Sequence, residues 1–170
     1  MKSDSRIFLV GPMGAGKTTI GKRLAKRSRR NFVDSDQELE RRTGASVALI
    51  FDVEGESGFR AREKRLIDEL TQLDNIVLAT GGGAVLDPDN RTALSSRGFV
   101  VYLNASVEDL IARTQRDTNR PLLNTDDPAA RMRELLEHRD PIYQQVADLV
   151  IDTGKLNLAE IVREIRIAKS

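Results

Sequence analysis

The chain has 170 residues, which is enough for one domain with a sizeable core. Its 27 basic and 26 acidic residues nearly cancel, and only 4% of residues are aromatic, so neither a basic surface nor a stacking platform for nucleic acid is expected. The absence of cysteine excludes a disulfide scaffold and thiolate metal sites, and the single histidine argues against a zinc enzyme. The apolar run at the N-terminus, Ile7–Val10, is too short for a signal-peptide core or a membrane span. We therefore expect a cytoplasmic protein without a membrane or nucleic-acid partner.

Short apolar runs punctuate the chain. Each is unbroken rather than alternating, which is typical of strands buried on both faces of a parallel sheet. Longer segments with helical spacing, such as 17–30 and 56–73, separate the runs. The pattern predicts an α/β fold, a doubly wound parallel sheet with helices on both faces, in one domain over residues 1–170. The predicted strands are Ile7–Val10, Asn31–Val33, Ile76–Ala79, Phe99–Leu103 and Leu149–Ile151.

Several local signals mark helix starts. Asp87-Pro88 and Asp127-Pro128 each read as an N-cap followed by proline at the first helical position. Ser35 with Glu38 has the spacing of a capping box, which makes Ser35 the expected N-cap. The polar stretch Arg116–Asp127 fits either a surface loop or a functional lid.

The strongest motif is a phosphate-binding loop, GPMGAGKT at Gly11–Thr18, which follows a predicted strand and precedes a predicted helix. Its glycines allow backbone N–H groups to wrap phosphates, and the helix N-terminus adds a positive dipole end. Lys17 is suited to bridge the β- and γ-phosphates, and the Thr18 hydroxyl is suited to Mg²⁺. A guanine-reading motif does not follow any predicted strand, and Asp52–Gly55 matches D-x-x-G by chance. The short chain favours a small-molecule kinase over a motor ATPase.

Polar residues follow the second and third predicted strands. Asp34 and Asp36 come at the end of the second strand, and Thr80–Gly83 comes after the third. Ligands of open α/β sheets bind at the carboxyl ends of the strands, so both aspartates should face the phosphate loop. One could hold Mg²⁺ through water and the other could accept a proton from a substrate hydroxyl. The bland alternative for either aspartate is a helix N-cap.

Six motifs in order give the chain a resemblance to the shikimate kinases, close to the type I bacterial enzymes, over nearly its whole length. The motifs are GPMGAGKTTIG (Gly11–Gly21), DSDQELERRTG (Asp34–Gly44), IFDVEGESGFRAREK (Ile50–Lys64), LATGGGAV (Leu78–Val85), RTQRDTNRPLL (Arg113–Leu123) and HRDPIYQQVAD (His138–Asp148).

The resemblance implies a five-stranded, nucleoside-monophosphate-kinase-like fold and transfer of the ATP γ-phosphoryl group to the 3-hydroxyl of shikimate. It implies a shikimate-binding segment over about 34–62 and a mobile lid over 116–127. The implied shikimate ligands are Asp36, Arg60, Gly82 and Arg139. The implied ATP contacts are Gly14, Ala15, Gly16, Lys17, Thr18, Thr19, Arg113 and Arg120. The implied catalytic residues are Lys17, Asp36 and Arg120, and the implied Mg²⁺ ligands are Thr18 and Asp34.

Alternatives of two classes stay open at this stage. One is another small-metabolite kinase such as gluconate kinase, which shares the phosphate loop but not the GFR, TGGG and RPLL motifs together. The other is a regulatory nucleotide-binding module without turnover. Phe51 and Phe59 fit a substrate pocket or the core almost equally, and His138 reads as an ordinary helix residue. Since many relatives are monomeric, a monomer is expected.

Overall fold

The fold is built around a five-stranded sheet whose strands are all parallel. The computed structural model describes residues 4–114 and 125–170. The strands lie in the order β2-β3-β1-β4-β5 across the sheet. They are β1 (Arg6–Val10), β2 (Asn31–Asp34), β3 (Ile76–Ala79), β4 (Phe99–Asn104) and β5 (Leu149–Asp152). The predicted fold class and all five strand positions are confirmed.

Helices connect the strands and cover both faces of the sheet. Within the described ranges they are α1 (Lys17–Ser28), α2 (Ser35–Thr43), α3 (Val47–Leu70), α4 (Pro88–Arg97), α5 (Val107–Thr114), α6 (Pro128–Val146) and α7 (Leu158–Lys169), with a short 3₁₀ turn at Ala84–Leu86. None of the helices in this part of the chain has the length and apolar character needed to cross a bilayer.

Two apolar clusters, one on each face of the sheet, form the core. Alternate residues of β1 and β4 point to opposite faces, so Leu9 belongs to one cluster and Phe8 to the other. The first cluster packs against α1 and α7, and the second packs against α3 and α4. This two-sided cover explains the unbroken apolar runs of the central strands, which need no polar face.

The two edge strands differ from the expectation that every run is buried on both faces. β2 begins at an exposed Asn31 and its other residues are half-buried, and Val150 of β5 is exposed. Each of these strands pairs on one side only, so the flanking helices cover it less fully than the central strands. The prediction of full burial is therefore wrong for β2 and β5.

The helix boundaries largely follow the local signals. Asp87 and Asp127 cap α4 and α6 as predicted, each followed by proline in the first turn. The helix predicted over 56–73 buries Phe59 and Leu66 on its inner face, but α3 begins earlier, at Val47, and is broken at Gly55. Gly55 has φ 75° and ψ 176°, a conformation that is unfavourable for residues with a Cβ atom. The helix is therefore broken at a residue that can adopt this conformation.

The segment predicted as a lid, 116–127, lies outside the described residues except for its last three positions. Arg120 therefore lies outside the described part of the chain as well.

Candidate active site

The phosphate loop runs from the end of β1 to the start of α1, which places its backbone at the carboxyl edge of the sheet. Gly16 is the N-cap of α1 and has φ 94°, a left-handed conformation that favours glycine. Lys17 donates from Nζ to the carbonyl oxygens of Gly11 and, at 2.9 Å, Pro12. These bonds hold the ammonium group against the backbone of the phosphate loop.

Asp34 joins the phosphate loop to the second strand. The Thr18 hydroxyl donates to Oδ2 of Asp34 at 2.7 Å. The other carboxylate oxygen, Oδ1, accepts from the backbone N–H groups of Asp36 at 3.0 Å and Gln37 at 3.1 Å. Asp34 is thus the N-cap of α2 and also a neighbour of the Thr18 hydroxyl. Both of its proposed roles, cap and metal-facing carboxylate, use different oxygen atoms.

The prediction that Ser35 caps α2 is wrong. Ser35 is the first helical residue, and its buried hydroxyl instead accepts from the Gly81 N–H at 3.1 Å. Glu38 forms no capping box with it, because its carboxylate accepts from Arg41 and Arg42 on the next turn. Asp34 caps the helix because it stands one residue earlier, in extended backbone, and its carboxylate accepts from the N–H groups of the first helical turn.

Two arginines from distant parts of the chain, Arg60 in α3 and Arg139 in α6, lie beside the glycines that follow β3. Arg139 is 5% exposed, and Arg60 donates from Nη1 to Oε1 of Glu63, which is 2% exposed, at 2.9 Å. Burial raises the pKa of the Glu63 carboxyl and lowers the pKa of the Arg139 guanidinium. Both guanidinium groups act on the pKa of the Glu63 carboxyl, and Arg60 also pairs with Glu56 at 3.5 Å.

Three polar side-chain atoms in this wall are buried and have no hydrogen-bond partner among the described residues: Nε of Arg60, Nε of Arg139 and Oε2 of Glu63. Buried polar atoms are rarely left unpaired in proteins, so orphaned donors on two arginines need an explanation. An anionic group with two oxygens, such as a carboxylate, matches the planar fork of arginine.

Two of the three glycines after β3 make room for neighbouring side chains. A methyl group on Gly81 would lie 2.8 Å from Oδ1 of Asp36 and 3.0 Å from Oε2 of Glu63. One on Gly83 would collide with the guanidinium of Arg60. Gly82 lies between the phosphate loop and Arg139, with its Cβ position 3.5 Å from the Met13 N and 3.6 Å from Nη1 of Arg139. Space therefore explains glycine at positions 81 and 83, whereas a methyl group on Gly82 would make only ordinary contacts.

One cleft of about 370 Å³ collects most of the predicted site residues. Its lining includes Gly14, Gly16, Lys17, Thr18, Thr19, Asp34, Asp36, Arg60, Gly82 and Arg139. Phe51 and Phe59 line it too, with ring centroids 4.7 Å apart, and Phe59 is also part of the core.

Two predicted nucleotide contacts do not line the cleft. Ala15 is buried in the apolar core. Arg113 is exposed and lies against the phosphate loop, donating to the Gly14 carbonyl at 3.0 Å and to the Thr153 hydroxyl at 3.3 Å.

Sequence reasoning missed Glu63 and Tyr143. Glu63 stands three residues after Arg60 in α3, and Tyr143 stands four residues after Arg139 in α6. Helical spacing of three or four puts side chains on one face, so this was the available signal. Once each arginine is singled out, its helical neighbour becomes a candidate partner.

Comparisons with known proteins identify the family of the chain. The family model described as shikimate kinase matches residues 13–168. A shikimate kinase of Bordetella pertussis is 59% identical over 95% of this chain and 77% of its own length, and one of Nitrosococcus oceani is 58% identical over 94% of this chain and 84% of its own.

Solved structures give the same result. The shikimate kinase of Acinetobacter baumannii in complex with shikimate superposes with a TM-score of 0.92 at 50% identity, covering 95% of this chain and 90% of its own. The YorR protein of Bacillus subtilis, at a TM-score of 0.60 and 17% identity, shares the fold alone. With its phosphate loop, its arginine pair and these relatives, the chain belongs to the shikimate kinase family, a family of phosphotransferases that use ATP.

Proposed function

We propose that this chain transfers the γ-phosphoryl group of ATP to the 3-hydroxyl of shikimate. The observation that carries the proposal is the union, in one cleft, of a phosphate loop and a pair of arginines, of which Arg139 is buried and Arg60 is half-buried. The first suits a nucleoside triphosphate and the second suits a small carboxylate. Asp36 lines the cleft beside the glycine turn that connects them, where a reacting hydroxyl would lie.

On the nucleotide side, the N–H groups of the loop and the α1 N-terminus would cradle the phosphates, and Lys17 would leave its carbonyl partners to meet the γ-phosphoryl oxygens. The residues present also fit Mg²⁺. This ion prefers oxygen ligands and keeps several waters, so it needs few protein ligands. The Thr18 hydroxyl and the Asp34 carboxylate, 2.7 Å apart, supply such oxygens. When bound, Mg²⁺ would neutralise charge on the β- and γ-phosphates.

On the acceptor side, Asp36 would accept the proton of the shikimate hydroxyl while the hydroxyl oxygen attacks the γ-phosphorus. The bond between the γ-phosphorus and the bridging oxygen breaks, the new phosphorus–oxygen bond forms, and ADP leaves with the bridging oxygen. Arg60 and Arg139 would grip the carboxylate at the other end of the substrate. That grip fixes the distance from the hydroxyl to the nucleotide and so provides the orientation that phosphoryl transfer requires.

A coupled assay of ADP release tests this function. Purified protein with ATP and Mg²⁺ should release ADP rapidly with shikimate and only at background rate with gluconate or without an acceptor. Shikimate methyl ester is the matched control ligand, because it keeps the hydroxyls and loses the carboxylate charge. We expect the ester to raise KM by at least about tenfold, the loss of about one charge-assisted hydrogen bond. Equal turnover with gluconate, or no dependence on the acceptor, would contradict the proposal.

A further inference from the structure

A buried tyrosine links the arginine site to the glycine turn. Tyr143 lies one helical turn after Arg139 in α6 and is fully buried. Its hydroxyl donates to the backbone carbonyl of Gly82, and its side chain lies close enough to the Arg139 guanidinium for the two to interact electrostatically. Tyr143 is therefore next to two features of the cleft wall, the glycine turn and the buried arginine.

The tyrosine ring is held from behind by a second tyrosine. The rings of Tyr143 and Tyr102 lie 4.8 Å apart at 34°, and the Tyr102 hydroxyl donates to Oδ1 of Asp140 at 2.6 Å. Burial raises the pKa of Tyr143 to about 12, so its hydroxyl stays protonated at neutral pH and keeps donating to Gly82. The ring is therefore packed in place, and the hydroxyl keeps its proton at neutral pH.

The Gly82 carbonyl shares a peptide unit with the Gly83 N–H. The peptide bonds of the described residues are all trans, so these two groups point in opposite directions from one rigid plane. Holding the carbonyl toward Tyr143 thus sets the direction of the Gly83 N–H, and both glycines line the cleft. Glycine backbone rotates readily, so without a partner this peptide would have several orientations.

We propose that Tyr143 is a positioning residue for the acceptor substrate. Its hydroxyl fixes the Gly82–Gly83 peptide and the Arg139 guanidinium relative to one another, and so pre-arranges the surface that receives the shikimate carboxylate. This inference rests on the proposed function, since it assigns Tyr143 to the acceptor half of that site. Tyr143 touches no reacting atom. Its loss should therefore weaken substrate binding equally in the ground state and in the transition state.

The test is Tyr143→Phe, which keeps the ring and removes the hydroxyl, beside Tyr102→Phe as the matched control. Both tyrosines are buried, neither lines the cleft, and each loses one hydroxyl that donates a hydrogen bond. They differ in the acceptor, because Gly82, the partner of Tyr143, lines the cleft and Asp140, the partner of Tyr102, does not. Shikimate binding is measured by calorimetry without nucleotide, and KM and kcat are measured in the ADP assay. We expect Tyr143→Phe to weaken shikimate binding and raise its KM about 5- to 20-fold, with kcat within about threefold and the KM for ATP unchanged. Tyr102→Phe should bind shikimate within about twofold of the wild type, whatever its melting temperature.

Unchanged shikimate affinity in Tyr143→Phe, or equal losses in both variants, would overturn the proposal, because equal losses would mean that the pair serves the core alone. Wild-type protein that does not bind shikimate would instead refute the proposed function.

A second measurement covers the case in which Tyr143→Phe does not fold. The chain contains only 2 tyrosines, both in this stack, so 3-fluorotyrosine labelling gives two ¹⁹F resonances, assigned with Tyr102→Phe. Saturating shikimate should shift the Tyr143 resonance more than that of Tyr102, and an unmoved Tyr143 resonance would overturn the proposal.

Discussion

Replacing Gly81 with alanine should disable the site with a single methyl group. The added Cβ would lie 2.8 Å from Oδ1 of Asp36 and 3.0 Å from Oε2 of Glu63, and ordinary contact begins at 3.4 Å. Asp36 must therefore retreat by about 0.6 Å and Glu63 by about 0.4 Å if the backbone stays in place. Gly81 has no positive φ, so backbone strain does not add to this effect.

The size of the loss follows from the displacement. A misplacement of about 1 Å at a reacting centre costs about 10²-fold in rate, so a shift of roughly half that at the proposed base should lower kcat by about 10- to 30-fold. The ADP-release assay at saturating shikimate and ATP measures it. Gly44→Ala is the control: nothing lies within 4 Å of its Cβ position, and its φ of 70° should cost about 1 kcal/mol of stability without touching the cleft. A Gly81→Ala enzyme with kcat within twofold of the wild type would show that Asp36 does not need its observed position.

Three further predictions address charge and basicity. Asp36→Asn keeps the size of the side chain and removes its basicity, so kcat should fall by about 10²–10⁴-fold with little change in melting temperature; near-normal turnover would remove Asp36 from the role of base. Arg139→Lys keeps the charge but loses the fork, so the KM for shikimate should rise about tenfold with a smaller change in kcat, whereas a dominant loss of kcat would speak against carboxylate binding. Arg41 and Arg42 lower the pKa of Glu38 from 4.5 to about 2, so the pairing stabilises the fold above pH 4.5 and the gain is lost as pH falls toward 2. Glu38→Gln should therefore lower the free energy of unfolding by about 0.5–1 kcal/mol at pH 7, and the difference should vanish near pH 2 in thermal melts; a constant difference would contradict it.

The sheet could be predicted from sequence because its signals are local. Unbroken apolar runs such as Phe99–Leu103 define strands, and the phosphate loop fixes the order of strand, loop and helix. The starts of α4 and α6 could also be predicted, because each has an aspartate followed by a proline. Start signals failed at α2, where Asp34 and Ser35 are adjacent and both residue types cap helices well, so spacing alone could not rank them.

The arginine site could not be found from local pattern. Arg60 lies in α3 and Arg139 in α6, and the chain holds 27 basic residues that periodicity does not distinguish. Resemblance to the family singled them out, and only the fold brings them together. The partners of these arginines, Glu63 and Tyr143, depend on tertiary packing in addition to helical spacing, because Tyr143 is held by Gly82 from another element.

Identification of the phosphorylated product tests the central claim most directly. With the carboxylate of shikimate on the arginine pair and one hydroxyl beside Asp36, a single hydroxyl should be within reach of the γ-phosphoryl group. After incubation of the protein with ATP, Mg²⁺ and shikimate, correlated ³¹P–¹H NMR should show one new phosphomonoester coupled to the proton on C3, in amounts equal to the ADP formed. A phosphomonoester at another carbon, a mixture of positions, or inorganic phosphate as the only product would contradict the account.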